Sequence, residues 1–188
     1  MLEKTFLLLN QTRMEFNMGS HISAEGDLLT MNVGDIHSLE AGSAARANKN
    51  KLPLDLVPVS FWLNQWKDED TMNLEMFDML EAVDAWQKGN DEYLLEWLSE
   101  TQDMAQALPV LEFGAKKYAM WNWAKGMPYS VSLGSLLRHS QAIINGAVVD
   151  KESGEDHWSH ILCNIMFLCY HTKYFPALDD RPPFYKDC

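Results

Sequence analysis

A helical period in the apolar residues from Ser60 onward is the feature that most limits how this chain can fold. In "DTMNLEMFDMLEAVDAWQKGN" (residues 70–90) apolar side chains recur about every 3.6 residues, which indicates an amphipathic helix. The residues that share this face are Leu74, Phe77, Leu80, Val83 and Trp86. Asp70 or Thr71 is predicted to cap the start of this helix, and Gly89-Asn90 is predicted to end it.

Four more helices are predicted after it. "NDEYLLEWLSETQDM" (residues 90–104) places three apolar residues on one side, and Pro109 opens a helix through "PVLEFGAKKYA" because proline is tolerated only in a first turn. Ser130 or Ser132 begins "LGSLLRHSQAIING", and the last helix runs from about Asp156 to about Tyr170. With 188 residues, 47% of them hydrophobic, the chain is expected to be a single, mostly α-helical domain.

The two ends of the chain lack this period. Residues 1–42 are predicted to form a long N-terminal arm, in which "FLLLNQ" and "LLTMNVGDI" are consistent with one or two short strands. The helical domain is expected over residues 43–175, beginning with an extended loop through "LEAGSAARANKNKLPLDLVP". Residues 176–188 are predicted to be a Pro-rich C-terminal tail.

Charge and composition exclude several classes of function. A net charge of −12 argues against binding to nucleic-acid polymers or to anionic membranes. No stretch reaches the roughly 18 consecutive apolar residues that a membrane span needs. The start, "MLEKTFLLLNQTR", does not resemble a signal peptide, and three cysteines without CxxC spacing suggest neither a disulfide framework nor a zinc knuckle. We therefore expect a cytoplasmic protein.

Histidines and acids concentrate around the start of the last helix. His157, His160, Asn164 and His171 are spaced by three, four and seven residues, so they lie along one stripe of that helix. Directly upstream stand four carboxylates, in "DKESGEDHWSH". A stripe of imidazoles differs from a solvated helix face, where Lys and Glu are typical.

The preceding helix carries Arg138 and His139, and only the short turn "NGAVVDKESG" separates it from the last helix. Such a turn predicts antiparallel neighbours, with His139 facing the pair His157 and His160. Imidazole nitrogens and carboxylate oxygens at one point suit a divalent metal ion. The alternative interpretation is that Asp156 caps the helix, the other acids are solvated, and the histidines are buried and hydrogen-bonded. His171, at the far end, is expected to be structural.

A second group of residues has the chemistry of a nucleotide site. "EFGAKKYAMWNWAKGMPYS" (residues 112–130) combines lysines, aromatic rings and an amide, which phosphates, a base and a sugar require. Asn122 and a tryptophan, Trp121 or Trp123, would hold the base or sugar, and Arg46 and Lys51 in the early loop could add phosphate contacts. The alternative is an amphipathic helix whose tryptophans are core and whose lysines are solvated.

Three segments together resemble a known family. "RANKNKLPLDLVP", "FGAKKYAMWNWAKGMPY" and "LLRHSQAIINGAVVDKESGEDHWSHILCN" are similar to the phage dATP/dGTP diphosphohydrolase N-terminal domain family, whose members are related to MazG-like nucleotide pyrophosphohydrolases. The resemblance covers about residues 43–170 and leaves about 67–105 as inserted helices. It implies an all-α, MazG-like helical bundle that is usually oligomeric. It also implies divalent-metal-dependent cleavage of a deoxynucleoside triphosphate to monophosphate and pyrophosphate.

We therefore predict a metal-dependent nucleotide phosphohydrolase acting on a purine deoxynucleoside triphosphate, dATP or dGTP, in the host cytoplasm if the chain is phage-encoded. The catalytic residues are predicted to be Glu152, as general base, and His139. The predicted metal ligands are Asp150, Glu152, His157 and His160. The predicted nucleotide contacts are Arg46, Lys51, Lys116, Lys117, Tyr118, Asn122, Trp123, Lys125, Arg138 and Asn164. The metal is expected to be Mg, Mn or Co, with zinc as an alternative, because carboxylates favour Mg or Mn and histidines favour transition metals. The chain departs from MazG proteins in lacking an ExxE pair with a following ExxD pair on neighbouring helices.

Three other functions stay open at the level of sequence. The chain could bind and sequester a nucleotide without turnover. It could be an HD-type triphosphohydrolase, since His and Asp on adjacent helices recur in that class. It could also be a protein-interaction module in which part of its seven tryptophans and eleven methionines forms an exposed patch.

Overall fold

The computed structural model describes residues 33–183, and this part of the chain is helical. It contains six α-helices and short 3-10 helices, with no β-strand among the described residues. The α-helices are α1 Val59–Trp66, α2 Leu74–Gln87, α3 Asp91–Thr101, α4 Leu108–Lys117, α5 Tyr129–Ile144 and α6 His157–Tyr174. The predicted all-α class is therefore confirmed. "FLLLNQ" lies outside the described residues, and the described end of "LLTMNVGDI" forms one isolated antiparallel bridge, between Val33 and Arg46.

The N-terminus of α2 lies later in the chain than predicted. The cap is Asn73, whose side chain accepts a hydrogen bond from the Met76 backbone N–H at 2.8 Å, so the prediction of Asp70 or Thr71 was wrong. Leu74 is consequently the first helical residue and is 75% exposed, whereas Trp86 near the other end is fully buried. The periodic apolar face is thus buried from the second turn onward.

Two helix starts that were read from local signals agree with the structure. Pro109 occupies the first turn of α4. Asp156 caps α6, and its side chain accepts a hydrogen bond from the backbone N–H of Ser159 at 2.8 Å. The helix then continues to Tyr174, beyond the predicted end near Tyr170.

Helices α5 and α6 are antiparallel and form the most extensive helix–helix contact in the described residues. At one end, the hydroxyl of Tyr129 in the first turn of α5 donates to the carbonyl of His171 near the end of α6, at 3.1 Å. At the other end, His139 contacts His157 in the first turn of α6. Apolar residues between these ends are fully or almost fully buried, among them Leu136 and Ile161.

The segment after α6 packs back onto the helices through Arg181. Its guanidinium lies 4.6 Å from the ring centroid of Trp86 and also faces the ring of Tyr129. It forms ion pairs with Asp91 at 2.6 Å and Asp179 at 2.9 Å. The packed part of the chain therefore extends at least to Arg181. None of the described helices is both long enough and apolar enough to cross a lipid bilayer.

Removing apolar volume from the α5–α6 contact should destabilise the whole domain. We expect Leu136→Ala to lower the free energy of unfolding by about 2–5 kcal/mol, because the side chain is fully buried and its loss leaves a cavity. The matched control is Leu74→Ala, which should change this free energy by no more than about 0.5 kcal/mol because Leu74 is exposed. Urea denaturation followed by circular dichroism measures both. Equal losses in the two variants would contradict the assignment of the core.

Acid should weaken the fold in part through His171. This residue is fully buried, its Nε2 is 2.9 Å from the carbonyl oxygen of Trp123, and burial lowers its pKa below 6.5. Below pH 6.5 the imidazole of His171 binds a proton more readily in the unfolded chain than in the folded protein. The free energy of unfolding therefore falls as the pH falls. His171→Gln should lose less stability than wild type between pH 6.5 and 5, by up to about 1.4 kcal/mol per pH unit. Denaturation at several pH values measures this difference, with the exposed-loop variant His37→Gln expected to follow wild type.

Candidate active site

One cavity of about 120 Å³ brings together most of the polar residues that the sequence singled out. Its walls come from the loop before α1, from α4 and the loop after it, and from the facing ends of α5 and α6. The predicted site residues that line it are Arg46, Lys51, Lys117, Tyr118, Asn122, Trp123, His139, Asp150, Glu152, His160 and Asn164.

A cluster of imidazoles lies where α5 and α6 meet. Nδ1 of His139 is 2.9 Å from Nδ1 of His157, and the ring of His139 stacks on that of His160 with centroids 4.3 Å apart. One potential ligand atom each from His139, Asp150 and His157 lie within 4.8 Å of one another. The antiparallel packing thus places His139 against the pair on α6, as the sequence predicted.

The loop between the two helices orients Asp150. It is closed by a backbone hydrogen bond from Asp150 N–H to the carbonyl of Glu155 at 2.8 Å. Ser153 donates to Oδ2 of Asp150 from both its backbone N–H and its hydroxyl, each at 3.0 Å. The same hydroxyl lies 2.7 Å from Nε2 of His160. Ser153 therefore links the carboxylate to the imidazoles, a role that no spacing pattern in the sequence signals.

The electrostatics of this cluster favour metal-ligating forms. Burial, with the nearby His160 and His157, lowers the pKa of His139 to about 2, and burial also lowers the pKa of His160. Burial alone would raise the pKa of Asp150, but the hydrogen bonds from Ser153 outweigh it and the pKa is lowered. At neutral pH His139 and His160 are therefore neutral, and Asp150 is an anion.

The donor set fits a divalent cation. Two ligand atoms that lie about 2.1 Å from a six-coordinate ion and at right angles to each other are about 3.0 Å apart. The Nδ1 atoms of His139 and His157 have nearly this separation, at 2.9 Å. Neutral imidazoles with a carboxylate suit first-row transition ions, Mn²⁺ included, better than Ca²⁺. His139, Asp150 and His157 would hold the ion.

A half-buried arginine, Arg46, forms another wall of the cavity. Nη2 of Arg46 donates to the hydroxyl of Ser135 at 2.6 Å and to Oδ1 of Asn164 at 3.0 Å. Both partners are neutral, and across residues 33–183 no carboxylate forms an ion pair with Arg46. Burial lowers the pKa of Arg46, and burial together with the charges of Arg46 and Arg138 lowers the pKa of Lys51. Sequence spacing does not predict the bond between Arg46 and Ser135, because the two residues are 89 positions apart.

Glu152 enters the cavity as the partner of Lys117. The two form an ion pair, and the hydrogen bond from Lys117 lowers the pKa of Glu152. Glu152 does not belong to the cluster of potential ligand atoms around His139. The structure thus pairs Glu152 with Lys117. His160, another predicted ligand, is also outside this cluster, and its Nε2 contacts the hydroxyl of Ser153.

Three predicted nucleotide contacts do not line the cavity. Lys116 forms an ion pair with Glu112 on the same helix at 2.6 Å. Lys125 donates to the carbonyls of Asp35 and Ser38, each at 2.9 Å. The third, Arg138, donates to the carbonyl of Leu52 at 2.9 Å and to Oδ1 of Asn48 at 3.1 Å. Lys125 and Arg138 therefore hold neighbouring loops in place.

Other predicted nucleotide contacts line the cavity, but their polar atoms form hydrogen bonds with the protein backbone. The amide of Asn122 accepts from the backbone N–H of Ala45 and donates to its carbonyl, both at 2.9 Å. The hydroxyl of Tyr118 accepts from the backbone N–H of Ala47 at 2.9 Å. These bonds fix the loop that carries Arg46.

The described part of the chain is thus an all-helical domain with a cavity lined by cations and by two members, His139 and Asp150, of a potential metal cluster. It belongs to the family described as dATP/dGTP diphosphohydrolase, N-terminal, whose model matches residues 81–181. The match contains the cluster His139–Asp150–His157 and the pair Lys117–Glu152, and it includes residues 81–105 of the predicted insertion. No curated protein and no solved structure matches the chain.

The cluster should bind one divalent cation per chain. We expect His157→Ala to weaken Co²⁺ binding by more than about 100-fold, and Ser153→Ala by about 10- to 100-fold because Ser153 orients Asp150. Visible absorption during Co²⁺ titration measures the affinity, and Mg²⁺, Mn²⁺ and Zn²⁺ follow by competition. The control His37→Ala, in an exposed loop, should bind like wild type. Unchanged affinity in His157→Ala would rule out this cluster as the site.

Proposed function

We propose that this protein is a divalent-metal-dependent hydrolase that cleaves a purine deoxynucleoside triphosphate, dATP or dGTP, to monophosphate and pyrophosphate. The observation that carries the proposal is that Arg46, Lys51 and Lys117 line the same cavity as His139 and Asp150, two members of the His139–Asp150–His157 cluster. The family description, which names dATP and dGTP diphosphohydrolysis, supports the same substrate class.

The phosphate chain is proposed to bind at Arg46 and Lys51. Arg46 lacks an ion-pair partner among the described residues, and its charge lowers the pKa of Lys51. An anion placed between these two cations would relieve their repulsion and their loss of hydration. A bidentate contact from the guanidinium also suits the geometry of phosphate oxygens.

The reacting phosphoryl group is proposed to lie between the cations and the imidazole cluster. A divalent cation, when bound by His139, Asp150 and His157, supplies Lewis-acid polarisation of a phosphoryl oxygen. The protein's own cations would neutralise the charge that develops on the leaving pyrophosphate. The cluster and the cations belong to different segments of the chain. Both can contact the same phosphoryl group only when the fold brings these segments together.

Glu152 is proposed to be the general base. A water oxygen attacks the α-phosphorus, the proton of that water passes to Glu152, and the bond between the α-phosphorus and the bridging oxygen breaks to release pyrophosphate. Before substrate binds, the hydrogen bond from Lys117 lowers the pKa of Glu152 and makes it a weaker base. Transfer of Lys117 to the phosphate chain would remove this effect and raise the basicity of Glu152 when substrate is present.

The composition of the cluster favours one rival reaction. Two imidazoles from adjoining helices and one carboxylate from the loop between them are also compatible with an HD-type triphosphohydrolase, which would release nucleoside and tripolyphosphate. Product analysis separates the two, because only the proposed reaction yields monophosphate and pyrophosphate. A protein that only sequesters nucleotide would yield neither pair of products.

Turnover should require both the cluster and the cavity cations. We expect dATP or dGTP, incubated with Mg²⁺, Mn²⁺ or Co²⁺, to give monophosphate and pyrophosphate on anion-exchange chromatography, and excess chelator to abolish the reaction. Lys117→Ala should lower kcat/KM by about 100- to 1,000-fold, because it removes a cation from the phosphate chain.

The matched control is Lys116→Ala, which removes a neighbouring lysine that does not line the cavity and should leave kcat/KM within about twofold. Nucleoside and tripolyphosphate as products would replace the proposed reaction with its rival. Nucleotide binding without any product in the presence of Mg²⁺, Mn²⁺ or Co²⁺ would indicate that the protein sequesters nucleotide and does not hydrolyse it.

A further inference from the structure

We infer that Trp121 forms the nucleobase subsite of the cavity and stacks its indole on a purine ring. This inference rests on the proposed function, since it assumes a nucleotide ligand, and it decides between Trp121 and Trp123, which the sequence left as alternatives.

Trp121 is an aromatic side chain of the cavity wall with a large exposed surface. It lines the cavity and is 67% exposed, although an indole is large and largely apolar. Exposed aromatic surface on a cavity wall is a typical property of ligand sites. Stacking on a planar base would remove this surface from water.

Trp123 and Tyr118, on the same cavity wall, already have other groups packed against their rings. Trp123 stacks on Phe167 with centroids 5.2 Å apart and meets the edge of Tyr170 at 5.0 Å. Tyr118 carries the ammonium of Lys117 over its ring at 5.4 Å. Trp121 contacts Trp123 in a tilted arrangement at 6.0 Å, which does not cover the indole as a parallel stack would. The structure therefore favours Trp121 over the predicted Trp123.

The backbone holds Trp121 in an unfavourable conformation. Its φ of 61° and ψ of 15° are left-handed, a region that non-glycine residues avoid because Cβ approaches the carbonyl oxygen. Hydrogen bonds on both sides maintain it, from Asn122 N–H to the Ala119 carbonyl at 3.3 Å and from Ala124 N–H to the Trp121 carbonyl at 3.0 Å. Strain of this kind at an exposed position is typical of ligand clamps.

The position of Trp121 is coupled to that of the phosphate-binding cation. The next residue, Asn122, forms two hydrogen bonds of 2.9 Å with the backbone of Ala45, and Ala45 directly precedes Arg46. Trp121 is thus next in sequence to one partner of these hydrogen bonds, and Arg46 is next in sequence to the other. A nucleotide whose phosphates meet Arg46 can reach Trp121 with its base inside the same cavity.

Binding measurements with and without a base on the ligand test this subsite. Isothermal titration calorimetry would compare dGTP with inorganic tripolyphosphate, in chelator so that no turnover occurs. We expect Trp121→Ala to weaken dGTP binding by about 5- to 150-fold and to leave tripolyphosphate binding unchanged, because only dGTP carries a base. Trp121→Phe, which keeps a flat ring, should restore most of the dGTP affinity.

The matched control is Phe61→Ala, which removes an aromatic ring that is also 67% exposed but does not line the cavity. It should bind both ligands like wild type. Equal losses for dGTP and tripolyphosphate in Trp121→Ala, or no loss for dGTP, would overturn the subsite while leaving hydrolysis by wild type unaffected. If wild type binds dGTP through Trp121 but releases no product, the subsite stands and the hydrolase proposal fails.

Discussion

The antiparallel contact between α5 and α6 determines where every residue of the imidazole cluster lies. Buried apolar side chains such as Leu136 and Ile161 fix the relative rotation of the two helices. His139 then meets both His157 and His160, which stand one turn apart on α6. A slip of one helical turn, about 5.4 Å, would separate these rings. The chemistry of the site is therefore a consequence of how the core packs.

The cavity concentrates positive charge in a chain whose net charge is −12. Arg46 is half-buried against the neutral partners Ser135 and Asn164, and its charge, after burial, lowers the pKa of the nearby Lys51. A partly desolvated guanidinium with neutral partners reduces stability. The fold tolerates this cost at the place where an anionic ligand would offset it, which is a common relation between stability and function.

Polar bonds join the early loop to the segment after α4, alongside the apolar packing of Ala44 against Met127 and Val131. The amide of Asn122 pairs with the backbone of Ala45, and Tyr118 accepts from Ala47. Lys125 binds carbonyls between Asp35 and Ser38.

The sequence by itself determined the helical class, the start of α4 at Pro109 and the cap of α6 at Asp156, because these depend on neighbours within one or two turns. It also placed the histidines on one edge, since helical spacing is local. Only the tertiary structure decided which polar atoms reach the cavity. Arg46 donates a hydrogen bond to Asn164, 118 positions away, and Lys125 donates one to the carbonyl of Asp35. Ser153 orients the carboxylate of Asp150. The reason is physical: the partner of a long polar side chain depends on which distant segments the fold brings beside it.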